Sequence, residues 1–106
     1  MRTWIRKTMK IDPKYKVIKS AGFRRGYKTA QKRGLDLSQL AFAINQLSRD
    51  LPLPANWKDH PLKNNLKGFR ECHIGGAGDW LLLYAKRDAN MILYLLGTGT
   101  HADLFI

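Results

Sequence analysis

The sequence predicts an α+β domain in which two N-terminal helices pack on one face of a small, mainly antiparallel sheet of about four strands. Apolar residues recur at helical spacing between residues 20 and 49, whereas the second half contains short apolar runs separated by turn residues. The linkers between those runs are short, which favours antiparallel neighbours. A helix pair laid on such a sheet lets both layers bury their apolar faces.

The chain begins with a basic segment, and the first predicted elements follow it. Residues 1–14 show little periodicity and are interpreted as an extension, so the domain is expected to span residues 15–106. Tyr15–Lys19 alternates in polarity, as expected of a short strand with an incomplete apolar face. Residues 20–33 then predict a basic amphipathic helix that stops at Gly34. Its apolar positions are Phe23, Tyr27 and Ala30.

A second helix is predicted from about Leu37 to Arg49. Asp36 stands where a capping residue is needed, and Gln39 follows three residues later, as in a capping box. Two prolines within residues 50–54 prevent the helix from continuing, so the chain should leave it in extended form.

The second half is predicted to form a meander and to end in one helical turn. The strands are expected at Phe69–Ile74, Trp80–Lys86 and Met91–Gly97, separated by turns at residues 75–78 and 87–90. The second and third of these runs are continuously apolar, which suits central strands covered on both faces. A short helical turn is expected to follow the last strand.

The composition indicates a single cationic domain. The chain has 106 residues and a net charge of +11, and twelve of its nineteen Lys and Arg residues fall within residues 1–33. Such a field attracts polyanions, so nucleic acid is the first partner to consider and an acidic protein the second. Cys72 is the single cysteine, which excludes an internal disulfide. No uninterrupted apolar stretch indicates a secretory signal or a membrane span, and we expect a soluble, cytoplasmic protein.

Four residues are candidate proton carriers in this cationic setting: His60, His73, Asp79 and His101. Imidazole exchanges protons near neutral pH, and RNA can be cut without a metal when its own 2′-hydroxyl attacks the adjacent phosphate. Candidate cations for holding phosphate are Lys58, Lys63, Lys67 and Arg70. The spacing of the histidines matches no common zinc motif, so we expect neither a metal nor a cofactor.

Each candidate also has a structural interpretation. His60 precedes a proline in a loop and is compatible with a polar surface residue, while strand alternation places His73 on the same face as Glu71, where it is compatible with a half-buried residue. Asp79 is compatible with the end of a glycine-rich turn. His101 follows Thr100, and unpaired amides at such a helix start would favour an anion such as a scissile phosphate.

Several of these motifs, in this order, resemble the YafQ branch of the RelE superfamily, toxins of bacterial toxin–antitoxin pairs. The resemblance runs from about Tyr15 to Ile106. The segments that carry it are Ala30-Gln31-Lys32-Arg33, Leu51-Pro52-Leu53-Pro54, Lys58-Asp59-His60-Pro61-Leu62, Lys67-Gly68-Phe69-Arg70, His73, Asp79-Trp80, and Gly97-Thr98-Gly99-Thr100-His101 with Leu104-Phe105. Relative to this branch, residues 75–78 lengthen the loop before Asp79.

The resemblance implies a RelE-like fold and a ribosome-dependent endoribonuclease that cuts messenger RNA beside 16S ribosomal RNA and is inhibited by a cognate antitoxin. It implies that His60, His73, Asp79 and His101 form a metal-free acid–base set, with His73 or His60 as base, His101 as acid and Asp79 orienting an imidazole. Phe105 matches an aromatic residue that positions the substrate nucleotide, and Trp80 is expected in the core. The alternative from another class is a non-catalytic RNA- or ribosome-binding module with structural histidines.

Overall fold

A computed structural model describes residues 13–105 and contains three α-helices and one five-stranded sheet in that range. In chain order the elements are β1 (Lys16–Lys19), α1 (Ala21–Lys32), α2 (Leu37–Ser48), β2 (His60–Pro61), β3 (Arg70–His73), β4 (Leu81–Arg87), β5 (Ile92–Gly99) and α3 (His101–Phe105). The α+β class is confirmed. The expectation of about four strands was one short, because β2 has only two residues and a stretch of that length has no periodicity to detect.

The sheet has the order β1-β5-β4-β3-β2. The pairs β2–β3, β3–β4 and β4–β5 are antiparallel, and β1 pairs with β5 in parallel. The parallel pair arises because the helices and the first antiparallel strands intervene between β1 and β5, so β5 returns beside the N-terminal strand. Strand β4 therefore lies at the centre of the sheet, and β3 carries the short strand β2 along its outer edge.

Asp36 caps the second long helix as predicted, and Ser20, for which no cap was predicted, caps the first. The Ser20 hydroxyl accepts a hydrogen bond from the Phe23 amide at 2.9 Å, and the Asp36 carboxylate accepts one from the Ser38 amide at 3.1 Å. The reciprocal half of the predicted capping box was wrong. The side chain of Gln39 turns towards Gly75, where its Oε1 would lie 2.5 Å from an added Cβ, and so contacts the loop after β3.

The helices cover one face of the sheet and enclose the core there. Phe23 of α1 and Leu40 of α2 are buried against Leu82 and Tyr84 of β4. Helix α1 approaches β5 closely at Gly26, where an added Cβ would stand 2.2 Å from the backbone oxygen of the strand residue opposite it. Glycine is required at that position because any side chain would push the helix away from the sheet.

The other face of the sheet is only partly covered, and we call it the open face. Helix α3 lies over one end, where Leu104 approaches Gly97 so closely that an added Cβ would be 3.2 Å from the leucine. Residues 81–85 of β4 are all buried, as expected for a central strand, but the prediction was partly wrong for β5. Its positions 92, 94 and 96 are only half-buried, because α3 is too short to reach them.

Two further features of the chain frame the site. The predicted basic extension falls mostly on residues 1–12, which lie outside the described residues, while the Lys14 amide donates to the Ser48 carbonyl at 2.7 Å. Trp80 packs against the core and donates its indole hydrogen to the Thr98 hydroxyl at 2.9 Å. Among residues 13–105, no helix combines the length and apolar character that a membrane crossing requires.

Candidate functional site

The structure brings the three histidines and Asp79 together along one edge of the open face. His73 lies at the end of β3, and its ring centroid is 6.2 Å from that of His101 at the start of α3. His60 lies on β2 and is paired with Glu71 of β3. Glu71 is two residues before His73 on the same face of that strand, so His60 lies near His73 as well. Side chains from distant stretches of the chain therefore converge, although the sequence suggested this only through the resemblance.

Glu71 is the residue of this group that the sequence reasoning did not single out. Its side chain is 6% exposed, and its Oε2 lies 3.4 Å from Nε2 of His60 and 3.7 Å from Nε2 of His73. The carboxylate thus bridges two imidazoles, each within ion-pair distance of the same oxygen. Strand alternation already placed Glu71 on the face of His73, but only the pairing of β2 with β3 shows that both histidines meet it.

Asp79 holds the histidine at the start of α3. Its Oδ1 accepts a hydrogen bond from the His101 amide at 3.0 Å and lies 2.5 Å from Nδ1 of the same residue. These bonds, the backbone one first, lower the pKa of the Asp79 carboxyl below its usual range. With Nδ1 engaged, Nε2 is the ring nitrogen that remains for proton transfer. The longer loop at residues 75–78 does not displace Asp79 from this position.

Helix α3 is held by a reciprocal capping box. The Thr100 hydroxyl accepts from the Asp103 amide and the Asp103 carboxylate accepts from the Thr100 amide, both at 3.0 Å. Arg33, which follows α1, approaches the same carboxylate at 2.8 Å. The Arg33 side chain and then the Thr100 amide lower the pKa of Asp103 to about 2.

The capping arrangement corrects one expectation. Unpaired amides at this helix start were expected to hold a scissile phosphate, but the Thr100 amide donates to Asp103 and the His101 amide donates to Asp79. Both amides therefore already have carboxylate acceptors, which would also repel a phosphate at that point.

Phe105 completes one side of the group. Its ring centroid is 5.9 Å from that of His101, and 43% of the residue is exposed. An exposed ring one helical turn from an imidazole offers a surface for stacking beside the proton-transferring nitrogen.

Arg70 occupies a different environment from the histidines. Its side chain lies on the opposite face of β3 from Glu71, and its Nε donates to Asp59 at 3.2 Å. The Tyr84 hydroxyl donates to the same carboxylate at 2.5 Å, and burial followed by this hydrogen bond raises the pKa of Tyr84 well above its usual range. The structure thus ties Arg70 to an internal polar cluster and does not bring it to the imidazoles.

The three lysines predicted to hold phosphate lie on the segment between the end of α2 and β3. Lys58, Lys63 and Lys67 are all exposed. Lys58 adopts a left-handed conformation with φ of 53°, and its carbonyl oxygen lies 2.6 Å from Nδ1 of His60. The backbone at Lys58 therefore positions His60, while the ammonium groups remain at the surface.

The remaining ionisable groups do not extend the site. Cys72 is completely buried beneath the helices, and burial raises its pKa to about 12, so its thiol is unreactive at neutral pH. No set of three or more His, Cys, Asp or Glu side chains within residues 13–105 has an arrangement that could hold a metal ion.

Comparison with known sequences matches this chain to one family over most of its length. The sequence model described as "Bacterial toxin of type II toxin-antitoxin system, YafQ" covers residues 15–106. The "mRNA interferase toxin YafQ" of Escherichia coli strain B / BL21-DE3 is 42% identical over 87 residues, which is 81% of this chain and 90% of that protein. The "Putative toxin YafQ" of Haemophilus influenzae is 38% identical over 79 residues, covering 72% of this chain and 76% of that protein.

Solved structures agree with the sequence matches. The toxin chain in the crystal structure of the E. coli DinJ-YafQ toxin-antitoxin complex superposes with a TM-score of 0.77 at 38% identity, covering 88% of this chain and 99% of that one. A metal-bound toxin from Helicobacter pylori gives a TM-score of 0.79 at 37% identity, covering 86% and 99%. Sequence, fold and convergent histidines thus lead to one conclusion: the chain belongs to the YafQ family of bacterial type II toxin–antitoxin toxins.

Proposed function

We propose that this protein is a ribosome-dependent endoribonuclease, the toxin of a toxin–antitoxin pair, which cuts messenger RNA by metal-free acid–base catalysis. The observation that carries the proposal is the convergence of His60, His73 and His101 with Glu71 and Asp79 in a chain of net charge +11. Proton carriers sit beside carboxylates that can orient them, within a cationic protein that attracts RNA. Because its substrate is translated message, the protein acts in the cytoplasm.

His73 is the general base in this mechanism. It takes the proton of the 2′-hydroxyl, and the resulting 2′-oxygen attacks the adjacent phosphorus. The neighbouring Glu71 carboxylate stabilises the positive charge that develops on the ring, since its Oε2 lies 3.7 Å from Nε2 of His73. The ring is partly shielded, with a side chain 20% exposed, which limits competition from water.

His60 has a different role because both of its ring nitrogens face acceptors. Nδ1 is 2.6 Å from the Lys58 carbonyl, and Nε2 is 3.4 Å from the Glu71 carboxylate. With both ring nitrogens facing acceptors, His60 has no free nitrogen to take the hydroxyl proton, so it positions the Glu71 carboxylate beside His73.

His101 is the general acid. Asp79 engages Nδ1, and the half-exposed ring donates the Nε2 proton to the departing 5′-oxygen as the bond between phosphorus and that oxygen breaks. The products are a 2′,3′-cyclic phosphate and a 5′-hydroxyl end. Phe105 stacks on a nucleobase beside this step, and Lys58, Lys63 and Lys67 bind the flanking phosphates.

The antitoxin binds the groove between α1 and α2. This groove encloses about 550 Å³ and is lined by apolar residues of both helices together with three cations of the α1 side. The apolar residues are Phe23, Tyr27, Leu37, Leu40, Ala41 and Ile44, and the cations are Lys19, Arg24 and Lys28. Among residues 13–105 no acidic side chain lines it, so an amphipathic segment with acidic flanks complements both its surface and its charge.

The proposed activity is tested with purified protein and messenger RNA, with and without translating ribosomes. Cleavage is expected only with ribosomes, and His101→Ala is expected to abolish it while circular dichroism remains native, because His101 is exposed. Asn90→Ala, in the exposed turn between β4 and β5, is the matched control. Cleavage retained by His101→Ala contradicts the assignment, and salt-sensitive RNA binding without any cleavage identifies a binding module instead.

The antitoxin groove is tested separately by neutralisation of toxicity. Ala41→Glu places a negative charge in the groove and is expected to prevent rescue by the co-expressed antitoxin while cleavage persists. Ala89→Glu adds the same charge in the turn between β4 and β5 and is expected to leave rescue intact. Full rescue of the Ala41→Glu toxin contradicts this placement.

A further inference from the structure

The end of the open face that α3 does not reach presents two aromatic rings and an arginine. The ring centroids of Phe69 and Tyr94 are 6.3 Å apart, and the guanidinium carbon of Arg87 lies 5.3 Å from the Phe69 centroid. Phe69 and Tyr94 are half-buried, and Arg87 is exposed. We call these three residues the aromatic patch.

The strand register explains why the patch is continuous. Tyr94 of β5 is paired with Ala85 of β4, and Phe69 lies beyond it, in line with β3. Alanine is small, so the two rings lean across it and leave it fully buried. On the other side Tyr94 is paired with Ile18 of β1, which is 37% exposed. The result is an apolar stripe that crosses β1, β5 and β4 and ends at Phe69, with Arg87 at its border.

We propose that the aromatic patch binds the messenger strand by stacking unpaired nucleobases, with Arg87 contacting the backbone phosphate. This inference rests on the proposed function, since it extends the path of the RNA that lies over the histidines. Aromatic rings on a sheet face stack bases regardless of sequence, and a guanidinium beside them adds charge attraction to phosphate. In residues 13–105 Arg87 belongs to no ion pair, so its charge is not neutralised by a neighbouring carboxylate.

Continuity with the histidine group favours the messenger strand over other occupants. Phe69 lies on the same face as Glu71 and His73, and its position is four residues from His73 along the strand direction, which is about 13 Å. A strand whose scissile phosphate lies among the imidazoles passes over this stripe if it runs along β3. A purely apolar protein segment would gain nothing from the exposed charge of Arg87.

The experiment measures binding of a short, single-stranded 2′-O-methyl oligoribonucleotide carrying a fluorescent label. This probe cannot be cut because it lacks the attacking 2′-hydroxyl, so the measurement does not depend on catalysis. Phe69→Leu, Tyr94→Leu and Arg87→Gln are compared with the native chain by anisotropy. Phe42→Leu is the matched control, because Phe42 is 42% exposed on α2 and packs on Trp57, away from the open face.

Loss of one stacked ring is expected to weaken binding by about five- to a hundredfold, with Phe42→Leu unchanged. Arg87→Gln is expected to weaken binding less and to flatten its salt dependence, and it keeps the test open if an aromatic variant misfolds. Native affinity in the folded Tyr94→Leu and Arg87→Gln proteins overturns the inference. The inference is also overturned if 4-thiouridine in ribosome-bound message fails to cross-link to the aromatic patch. Cross-linking of ribosomal RNA or of the antitoxin to the patch, in place of the message, likewise overturns it.

The outcomes separate this inference from the proposed function. If the native protein binds the probe through the patch but never cuts message on ribosomes, the patch stands and the nuclease assignment fails. If it cuts message while the patch variants bind and cut as the native chain does, the nuclease assignment stands and the patch fails.

Discussion

Replacing Glu71 by glutamine removes the charge that bridges two imidazoles while keeping the size of the side chain. At the 3.7 Å that separates Oε2 from Nε2 of His73, a carboxylate and the imidazolium that forms during proton transfer attract by about 4.5 kcal/mol at an effective dielectric constant of about 20. The His73 side chain is 20% exposed, and screening by water reduces this to about 1–2 kcal/mol. The cleavage rate of Glu71→Gln should therefore fall by about five- to thirtyfold.

Although Glu71→Gln should cleave more slowly, its folded state should be as stable as that of the native chain or slightly more stable. The Glu71 side chain is 6% exposed, so its carboxylate is costly to desolvate. An amide of the same shape removes that cost, so we expect the free energy of unfolding to stay level or rise by up to about 1 kcal/mol. A residue that merely supported the fold would lose stability together with activity. The two readouts separate a functional carboxylate from a structural one.

The assay is single-turnover cleavage of ribosome-bound message, combined with urea unfolding of the free protein. Asp50→Asn is the matched control, since it also exchanges a carboxylate for an amide, and within residues 13–105 the Asp50 carboxylate forms ion pairs only with Lys14 and Lys86. The control is expected to cleave at the native rate. An unchanged rate in Glu71→Gln, or a loss of activity that follows a loss of stability, would refute the reasoning.

Three further predictions concern the elements around the site. Asp79→Asn should lower the cleavage rate by about a hundredfold or more, because His101 loses the carboxylate that orients its ring; a native rate contradicts this. The docking of α3 should be intact above about pH 4 and be lost as pH falls through about 2, because the pKa of Asp103 is lowered when folded. Arg33→Gln should move that pKa upwards in a carboxyl NMR titration, and an unmoved pKa contradicts the pairing. Gly26→Ala should destabilise the fold by about 2–3 kcal/mol in urea unfolding, because the new methyl group meets the β5 backbone; a native midpoint contradicts the close approach.

Local signals predicted most of the fold. The start of α2 was readable because Asp36 has a short polar side chain that caps a helix, and Gly34 supplies the positive φ of 72° where α1 ends. The Ser20 cap of α1 was not predicted. The two-residue strand β2 and the two short 3-10 helices at Ala55–Trp57 and Asn64–Leu66 were not predicted. Each of these elements has only two or three residues, too few for sequence propensity to predict it, so tertiary contacts determine whether it forms.

The sequence identified most residues of the candidate site but not the contacts between them. Its histidines could be named from the sequence, but their mutual distances depend on the register of β2 with β3 and on the closure of α3 over β5. Glu71 escaped notice because one acidic residue in a strand is not a motif, and its meaning appears only when two imidazoles meet it. Arg70 looked like a phosphate ligand by charge, yet Asp59 holds it on the other face.

In the proposed mechanism the imidazoles themselves, without a metal, move the protons that allow the 2′-oxygen to replace the 5′-oxygen on phosphorus. The most direct measurement is mass spectrometry of the new RNA ends formed on ribosomes, with a chelator that removes transition metals but leaves the magnesium of the ribosome. The account predicts a 2′,3′-cyclic phosphate and a 5′-hydroxyl at an unchanged rate, with neither end formed by His101→Ala. A 5′-phosphate end, or cleavage abolished by the chelator, would contradict it.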